Sequence, residues 1–282
     1  MPDSPLQQLV CCMGQPVAGN PTQFMMQRAF AAAGLDWLYL TFEVSPEDLG
    51  NAVRGARAMR FRGANFTIPH KVAVIEHLDR LTDTAALMGA VNCVYREADQ
   101  LVGDNTDGKG FVESLRTIVD PTEKNVVLLG AGGAARAIAV ELGHAGIAEL
   151  TIINRTPERG QALVDLLVDQ VKVRACLIPW KGELAVPEGT DILINATPIG
   201  LLDPAAAVPL DMDSVRPPML VADVILNPPD TWLLRQARQR GCITLNGLGM
   251  LVQQGVIAFR QWTGRDPDPV VMREAVEEYL EI

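Results

Sequence analysis

Residues 126–129 form a short apolar run that stops at Gly130-Ala131-Gly132-Gly133, and a helix-favouring run over 134–142 follows at once. A buried strand that turns on glycine directly into a helix suits a pyrophosphate held at the helix N-terminus. Gly130 permits the tight turn, Gly132 lets the backbone approach the phosphates, and Ala135 keeps helix and strand close. Gly130, Ala131, Gly132, Gly133 and Ala134 are therefore candidate dinucleotide-binding residues.

The surrounding pattern repeats the same unit. Apolar runs at 126–129, 149–153, 173–178, 191–195, 220–226 and 242–244 read as strands, with helical stretches at 133–145, 158–170 and 231–240. Such alternation predicts a doubly wound parallel sheet. Strands are also expected near 9–13, 37–42 and 63–68, and as a pair at 90–95 and 100–103. Helices are expected from 23, with Thr22 as N-cap, and from 46, 72, 81 and 109. A long amphipathic helix follows Asn246-Gly247-Leu248-Gly249, and a last one covers about 269–280. The expectation is α/β architecture in two domains. Residues 1–112, completed by 246–282, are expected to form one domain, and 113–245 a Rossmann dinucleotide domain.

Charge and cysteine usage narrow the function class. The net charge of −10 carries no long block of one sign, which argues against nucleic acid or an anionic membrane as the main partner. No apolar run is long enough to span a bilayer, and the first eight residues lack a signal-peptide pattern. The five cysteines (Cys11, Cys12, Cys93, Cys176 and Cys242) form no CxxC pair and read as buried free thiols in a reducing cytoplasm. The three histidines show no metal-ligand spacing, so no metal is expected.

The end of the second strand of the dinucleotide unit selects the cofactor. NAD-selective sites place an acid there, whereas this chain has Asn154-Arg155-Thr156 with Arg159 one turn later. Guanidiniums bind a ribose 2′-phosphate through charge-assisted hydrogen bonds, which points to NADP, with NAD as the alternative. Among five lysines, Lys71 directly follows an apolar strand and a proline turn. Asp107 lies in a turn-like segment, and Asn92 is an unusual strand residue. Alone, each of these fits an ordinary surface or turn position.

Taken in order, these segments resemble the shikimate dehydrogenase family. The resemblance rests on Gly14-x-Pro16, Gly63-Ala64-Asn65-x-Thr67-x-Pro69-x-Lys71, Gly89-Ala90-Val91-Asn92 and Gly103-Asp104-Asn105-Thr106-Asp107-Gly108. It extends through Gly130-Ala131-Gly132-Gly133-Ala134, Asn154-Arg155-Thr156, Asn195-Ala196-Thr197-Pro198 and Asn246-Gly247-Leu248-Gly249-Met250-Leu251-Val252-x-Gln254. It implies that the first domain is the catalytic one that binds substrate, and that 3-dehydroshikimate is reversibly reduced to shikimate with NADP, on the route through chorismate to the aromatic amino acids, in a cleft between the two domains. Lys71 and Asp107 would be the catalytic pair. Lys71 would exchange a proton with the carbonyl oxygen, and Asp107 would hydrogen-bond the substrate and hold the ammonium. Thr67, Asn92 and Gln254 would contact ring hydroxyls, and Val224 and Gly247 would lie against the nicotinamide. A homodimer is left open.

The chain departs from the family where the substrate carboxylate is read. A Ser-x-Ser pair usually follows Gly-x-Pro, and here Asn20 and Thr22 stand in its place. Gly19 replaces the histidine that commonly precedes the pair, and Leu226 stands where a tyrosine usually assists. A hydrogen bond to a charged group is worth about 1.5–3 kcal/mol, so one lost donor weakens binding roughly 10- to 150-fold. The alternatives are a quinate- or aminoshikimate-type dehydrogenase, or a dinucleotide-binding regulator without turnover.

Overall fold

The computed structural model describes residues 6–282. The chain forms two compact units: residues up to Thr106 together with Val252–Ile282, and Asp107–Leu251.

The first unit contains β1 (Gln8–Gly14), α1 (Thr22–Ala32), β2 (Trp37–Glu43), α2 (Leu49–Ala58), β3 (Gly63–Phe66), α3 (His70–Ala73), β4 (Arg80–Leu81), α4 (Asp83–Met88), β5 (Cys93–Glu97) and β6 (Gln100–Asp104). Its sheet has the order β2-β1-β3-β5-β6-β4. β1 runs parallel to β2 and β3, and β5 is antiparallel to β3 and β6. Cys11, Met13, Leu49, Val53, Phe66 and Val91 belong to one core beneath it. Thr22 is not the N-cap of α1: it is the first helical residue, and Pro21 occupies the cap. Asn20 explains the shift, because its Oδ1 accepts from the Thr22 N–H at 2.9 Å. An Asx turn thereby satisfies the Thr22 amide and starts the helix one residue early.

The second unit begins with all but the first residue of α5 (Thr106–Arg116). It continues through β7 (Asn125–Leu129), α6 (Gly133–His144), β8 (Glu149–Asn154), α7 (Pro157–Leu166), β9 (Arg174–Pro179), β10 (Leu184–Ala185), β11 (Ile192–Asn195), β12 (Leu210–Asp211), β13 (Leu220–Asp223), α8 (Trp232–Gln239) and β14 (Ile243–Leu245). The main sheet is wholly parallel, in the order β14-β13-β11-β7-β8-β9. That is the Rossmann order, and its topological switch point lies between β7 and β11. Val127, Leu129, Leu193, Val221 and Leu233 pack in one core on this sheet.

Several boundaries differ from the periodicity; β5, for example, covers Cys93–Glu97 rather than 90–95. β13 ends at Asp223, not 226, because the Asp223 Oδ1 accepts from the Ile225 N–H (3.1 Å) and turns the chain. α5 starts at Thr106, not 109, because the Asn92 Oδ1 accepts the Thr106 N–H at 2.7 Å. α7 keeps its regular form only to Leu166, and a wider turn carries the chain on to Val171. Cys176 is also exposed, against the expectation of a buried thiol, since it sits on the edge strand β9. All five cysteines are free.

The chain returns to the first unit within α9 (Gly247–Thr263) and ends in α10 (Pro269–Leu280). Trp262 is buried and donates from Nε1 to the Val94 carbonyl at 2.9 Å. A Cβ on Gly63 would stand 2.2 Å from that indole nitrogen, so only glycine lets β3 meet α9. α10 packs on α1 through a tilted Phe24–Tyr279 contact and the Arg28–Glu278 ion pair (3.0 Å). Among the described residues, no helix is long and apolar enough to cross a membrane.

Candidate functional site

In the second unit the glycine turn sits at the carboxyl end of β7. Gly130 has φ +105°, and a Cβ there would come within 3.0 Å of the Ala196 carbonyl oxygen. Its N–H donates to the Ile153 carbonyl at 2.9 Å. The turn is thus pinned between β8 and the segment after β11, at the switch point. Gly132 is the N-cap of α6, and no side chain caps this end. Cβ atoms on Gly132 and Gly133 would meet nothing within 4 Å, and both residues are exposed. Ala131 and Ala134 flank them, half-buried. The first helical turn thus has no side-chain cap and open space beside its glycines, an arrangement that suits a pyrophosphate.

Asn154, Arg155, Thr156 and Arg159 gather at the end of β8. The Asn154 Nδ2 donates to the Thr156 carbonyl at 2.8 Å and shapes the turn. Arg155 and Arg159 are exposed and make no ion pair or hydrogen bond among the described residues. Two guanidiniums that form no ion pair, not even with the neighbouring Glu158, fit a 2′-phosphate.

Asp223 organises the loop after β13. Its Oδ2 accepts from the Asn195 Nδ2 at 3.1 Å and from the Thr231 Oγ1 at 2.8 Å. Burial pushes its carboxyl above the ordinary value, against the pull of those hydrogen bonds. The loop carries Val224 and the half-buried Leu226. A Cβ on Gly247 would lie 2.6 Å from both the Val224 and Ile225 carbonyl oxygens, so the start of α9 touches this loop backbone to backbone. Asp107 lies in the first turn of α5. The next residue, Gly108, has room for no Cβ, which would fall 2.2 Å from the Ala137 carbonyl oxygen of α6. Close helix packing therefore anchors Asp107, a role for Gly108 that the motif had not disclosed.

In the first unit three loops converge. A Cβ on Gly14 would strike the Thr67 Cγ2 at 2.3 Å, and the Gln15 N–H donates to the Ile68 carbonyl at 2.9 Å. The Lys71 carbonyl accepts from the Val91 N–H at 2.7 Å, which ties the lysine to the Asn92 segment. The Lys71 ammonium is also near enough to Cys12 to lower its pKa, although burial prevails and pushes that thiol up to about 11. The Asn20 Nδ2 in turn points at the Cys12 Sγ, 3.8 Å away. Thr67, Lys71, Asn92 and Asn20 are thus gathered around the carboxyl ends of β1 and β3. Thr22 is buried behind Asn20, and Gln254 is buried on α9.

Asn92 has a second duty besides the one expected. Its Nδ2 donates to the Thr106 Oγ1 at 3.0 Å while its Oδ1 caps the start of α5. Behind it, the Asn65 Nδ2 donates to the Asn92 carbonyl (3.1 Å), and the Tyr39 Oη donates to the Asn65 Oδ1 (2.7 Å). Asp104, also buried, accepts from Thr82 and Gln261 at 2.7 Å each. Tyr39 carries no motif signal, and Asp104, although it lies in the 103–108 motif, has no role assigned by it; burial and hydrogen bonds expose the network.

Three family models match in chain order. The shikimate dehydrogenase substrate binding domain covers residues 12–94, shikimate / quinate 5-dehydrogenase 113–199, and the shikimate 5′-dehydrogenase C-terminal domain 247–277. The shikimate dehydrogenase (NADP(+)) of Moorella thermoacetica is 42% identical over 276 residues, covering 96% of this chain and 93% of the relative.

The chain belongs to the shikimate dehydrogenase family.

Within this family of oxidoreductases the solved relatives diverge in substrate. The 5-ketofructose reductase of Gluconobacter sp. strain CHM43 superposes with a TM-score of 0.95 at 48% identity, covering 98% of this chain and 99% of that one. The Thermus thermophilus shikimate 5-dehydrogenase, solved with NADP(H) and shikimate, gives 0.85 at 36% identity and covers 97% and 100%. The family architecture, an N-terminal substrate unit and a C-terminal Rossmann unit for NADP, is the one described above.

Proposed function

We propose that this protein is an NADP-dependent reductase of a small, neutral, polyhydroxylated ketone of the 5-ketofructose kind. The observation that carries this reading is the altered carboxylate-reading set. Leu226 has no donor, and Asn20 spends its carbonyl oxygen on the Thr22 N–H rather than presenting a hydroxyl. A site that loses donors for a carboxylate gives up affinity for carboxylates and loses nothing for a substrate without one. The 48% identity to a 5-ketofructose reductase supports it.

NADPH, when bound at the β7–α6 turn with its 2′-phosphate on Arg155 and Arg159, supplies the hydride. Lys71 donates a proton to the carbonyl oxygen as negative charge develops there, and recovers it in the reverse reaction. Asp107 accepts a hydrogen bond from a substrate hydroxyl. Thr67, Asn92 and Gln254 read further hydroxyls, and Val224 and Gly247 form a backbone surface for the nicotinamide.

A second reading, reduction of 3-dehydroshikimate, is favoured by the 42% identical shikimate dehydrogenase. The deciding experiment compares kcat/KM for NADPH oxidation with 5-ketofructose and with 3-dehydroshikimate. The neutral ketone is expected to win by about ten-fold or more, the factor one missing donor imposes on the acid. The reverse ranking transfers the assignment to 3-dehydroshikimate. Loss of turnover in Lys71→Ala, with NADPH affinity unchanged, is expected for either substrate.

A further inference from the structure

In the first unit, α1, the end of β2 and the end of α10 enclose an open cavity of about 470 Å³. Gln23, Gln27, Thr41 and Glu43 supply its polar lining, and Phe24 and Tyr279 its aromatic wall. Thr22, Thr67, Lys71, Asn92 and Gln254 do not line it; of the candidate substrate residues, Asn20 alone does. Gly19 forms part of the wall without a side chain, at the position where the family commonly carries a histidine. The Glu43 carboxylate makes no hydrogen bond or ion pair among the described residues. The Thr41 hydroxyl is shielded from solvent and has no hydrogen-bond partner, an unfavourable state that a nearby ligand hydroxyl would relieve after a small side-chain rotation.

We propose that this cavity is a second binding site, for a neutral polyhydroxylated molecule such as a sugar. Two glutamine amides and a hydroxyl both donate and accept, and a carboxylate accepts from adjacent hydroxyls, which matches a polyol's alternating demands. The aromatic wall suits the C–H face of a sugar ring. No lysine or arginine lines the cavity, so an anion has no counter-charge there. A cation is disfavoured as well, because the Arg28 guanidinium already covers the Phe24 ring, 5.0 Å from its centroid. The same arginine, bound to Glu278, holds α10 and therefore Tyr279 in place. The site stands whichever ketone the reductase accepts.

Tyr279 is one of three tyrosines, so 3-fluorotyrosine labelling with ¹⁹F NMR gives a local reporter, assigned by loss of its line in Tyr279→Phe. Titration with D-fructose is expected to shift the Tyr279 line saturably in the wild type and equally in Lys71→Ala. Glu43→Gln is expected to weaken that binding at least about ten-fold, the effect of one lost charged hydrogen bond, with kcat and KM of the reduction unchanged. An unmoved Tyr279 line, an unaltered affinity in Glu43→Gln, or loss of the shift in Lys71→Ala would each overturn the second site.

Discussion

Arg155 and Arg159 are the residues to which the proposed function assigns the choice of cofactor. Both are exposed at the end of β8 without an internal partner, so neither contributes an ion pair to the fold. Their substitution should act on the cofactor alone. Arg155→Ala is expected to lower kcat/KM for NADPH by roughly 10- to 150-fold while leaving NADH unaffected, which steady-state kinetics with both cofactors will check. An equal loss with both would assign the arginine a structural role. At the same scale, Asn20 links two parts of the first unit. Its carbonyl fixes the start of α1, and its amide faces Cys12 and thus the surroundings of Lys71.

At the scale of elements, the loop from β13 to α8 depends on a single carboxylate. Asp223 accepts from Asn195, Ile225 and Thr231, and burial raises its pKa. An acid with a raised folded pKa keeps its proton in the native state at pH values where the unfolded chain has lost it. Stability therefore falls as pH rises from the ordinary value of 3.8 towards the raised one, and stays lower above it. Asp223→Asn removes this slope but turns an amide donor towards the Asn195 Nδ2. Asn195 cannot flip to accommodate it, because its Oδ1 already accepts from the Thr197 N–H at 3.1 Å. The variant is expected to lose about 1–3 kcal/mol at neutral pH and to show a flatter acid limb, read as urea midpoints across pH in both proteins. A variant as stable as the wild type would show that the carboxylate does not hold the loop.

At the scale of the molecule, the two units give separate readouts. NADPH at a hundred times its Kd stabilises the native state by about 2.7 kcal/mol. Hydrogen exchange should slow at residues 130–136 and 154–159 of the second unit, with the sheet of the first unit unchanged. Protection confined to the first unit would relocate the cofactor site. The strand and helix pattern of both units was legible because apolar periodicity reports which face of an element is buried. Its ends were not. α5 starts where Asn92, fourteen residues earlier, supplies a cap, and β13 stops where a buried carboxylate turns the chain. Cys176 lies in an apolar run yet faces out, because strand order alone makes β9 an edge.

The line of residues was enough to establish the glycine turn, the Rossmann alternation and the arginines where an acid would select NAD. All of these are local: they depend on residue type and spacing, which the chain carries whatever its fold. The three-dimensional structure decided which glycines are obligatory, that Asn92 caps α5 as well as lying beside Lys71, and that a polar cavity opens beside Asn20. Those properties arise from atoms far apart in sequence meeting at van der Waals or hydrogen-bond distance. Such meetings exist only once the sheets have assembled.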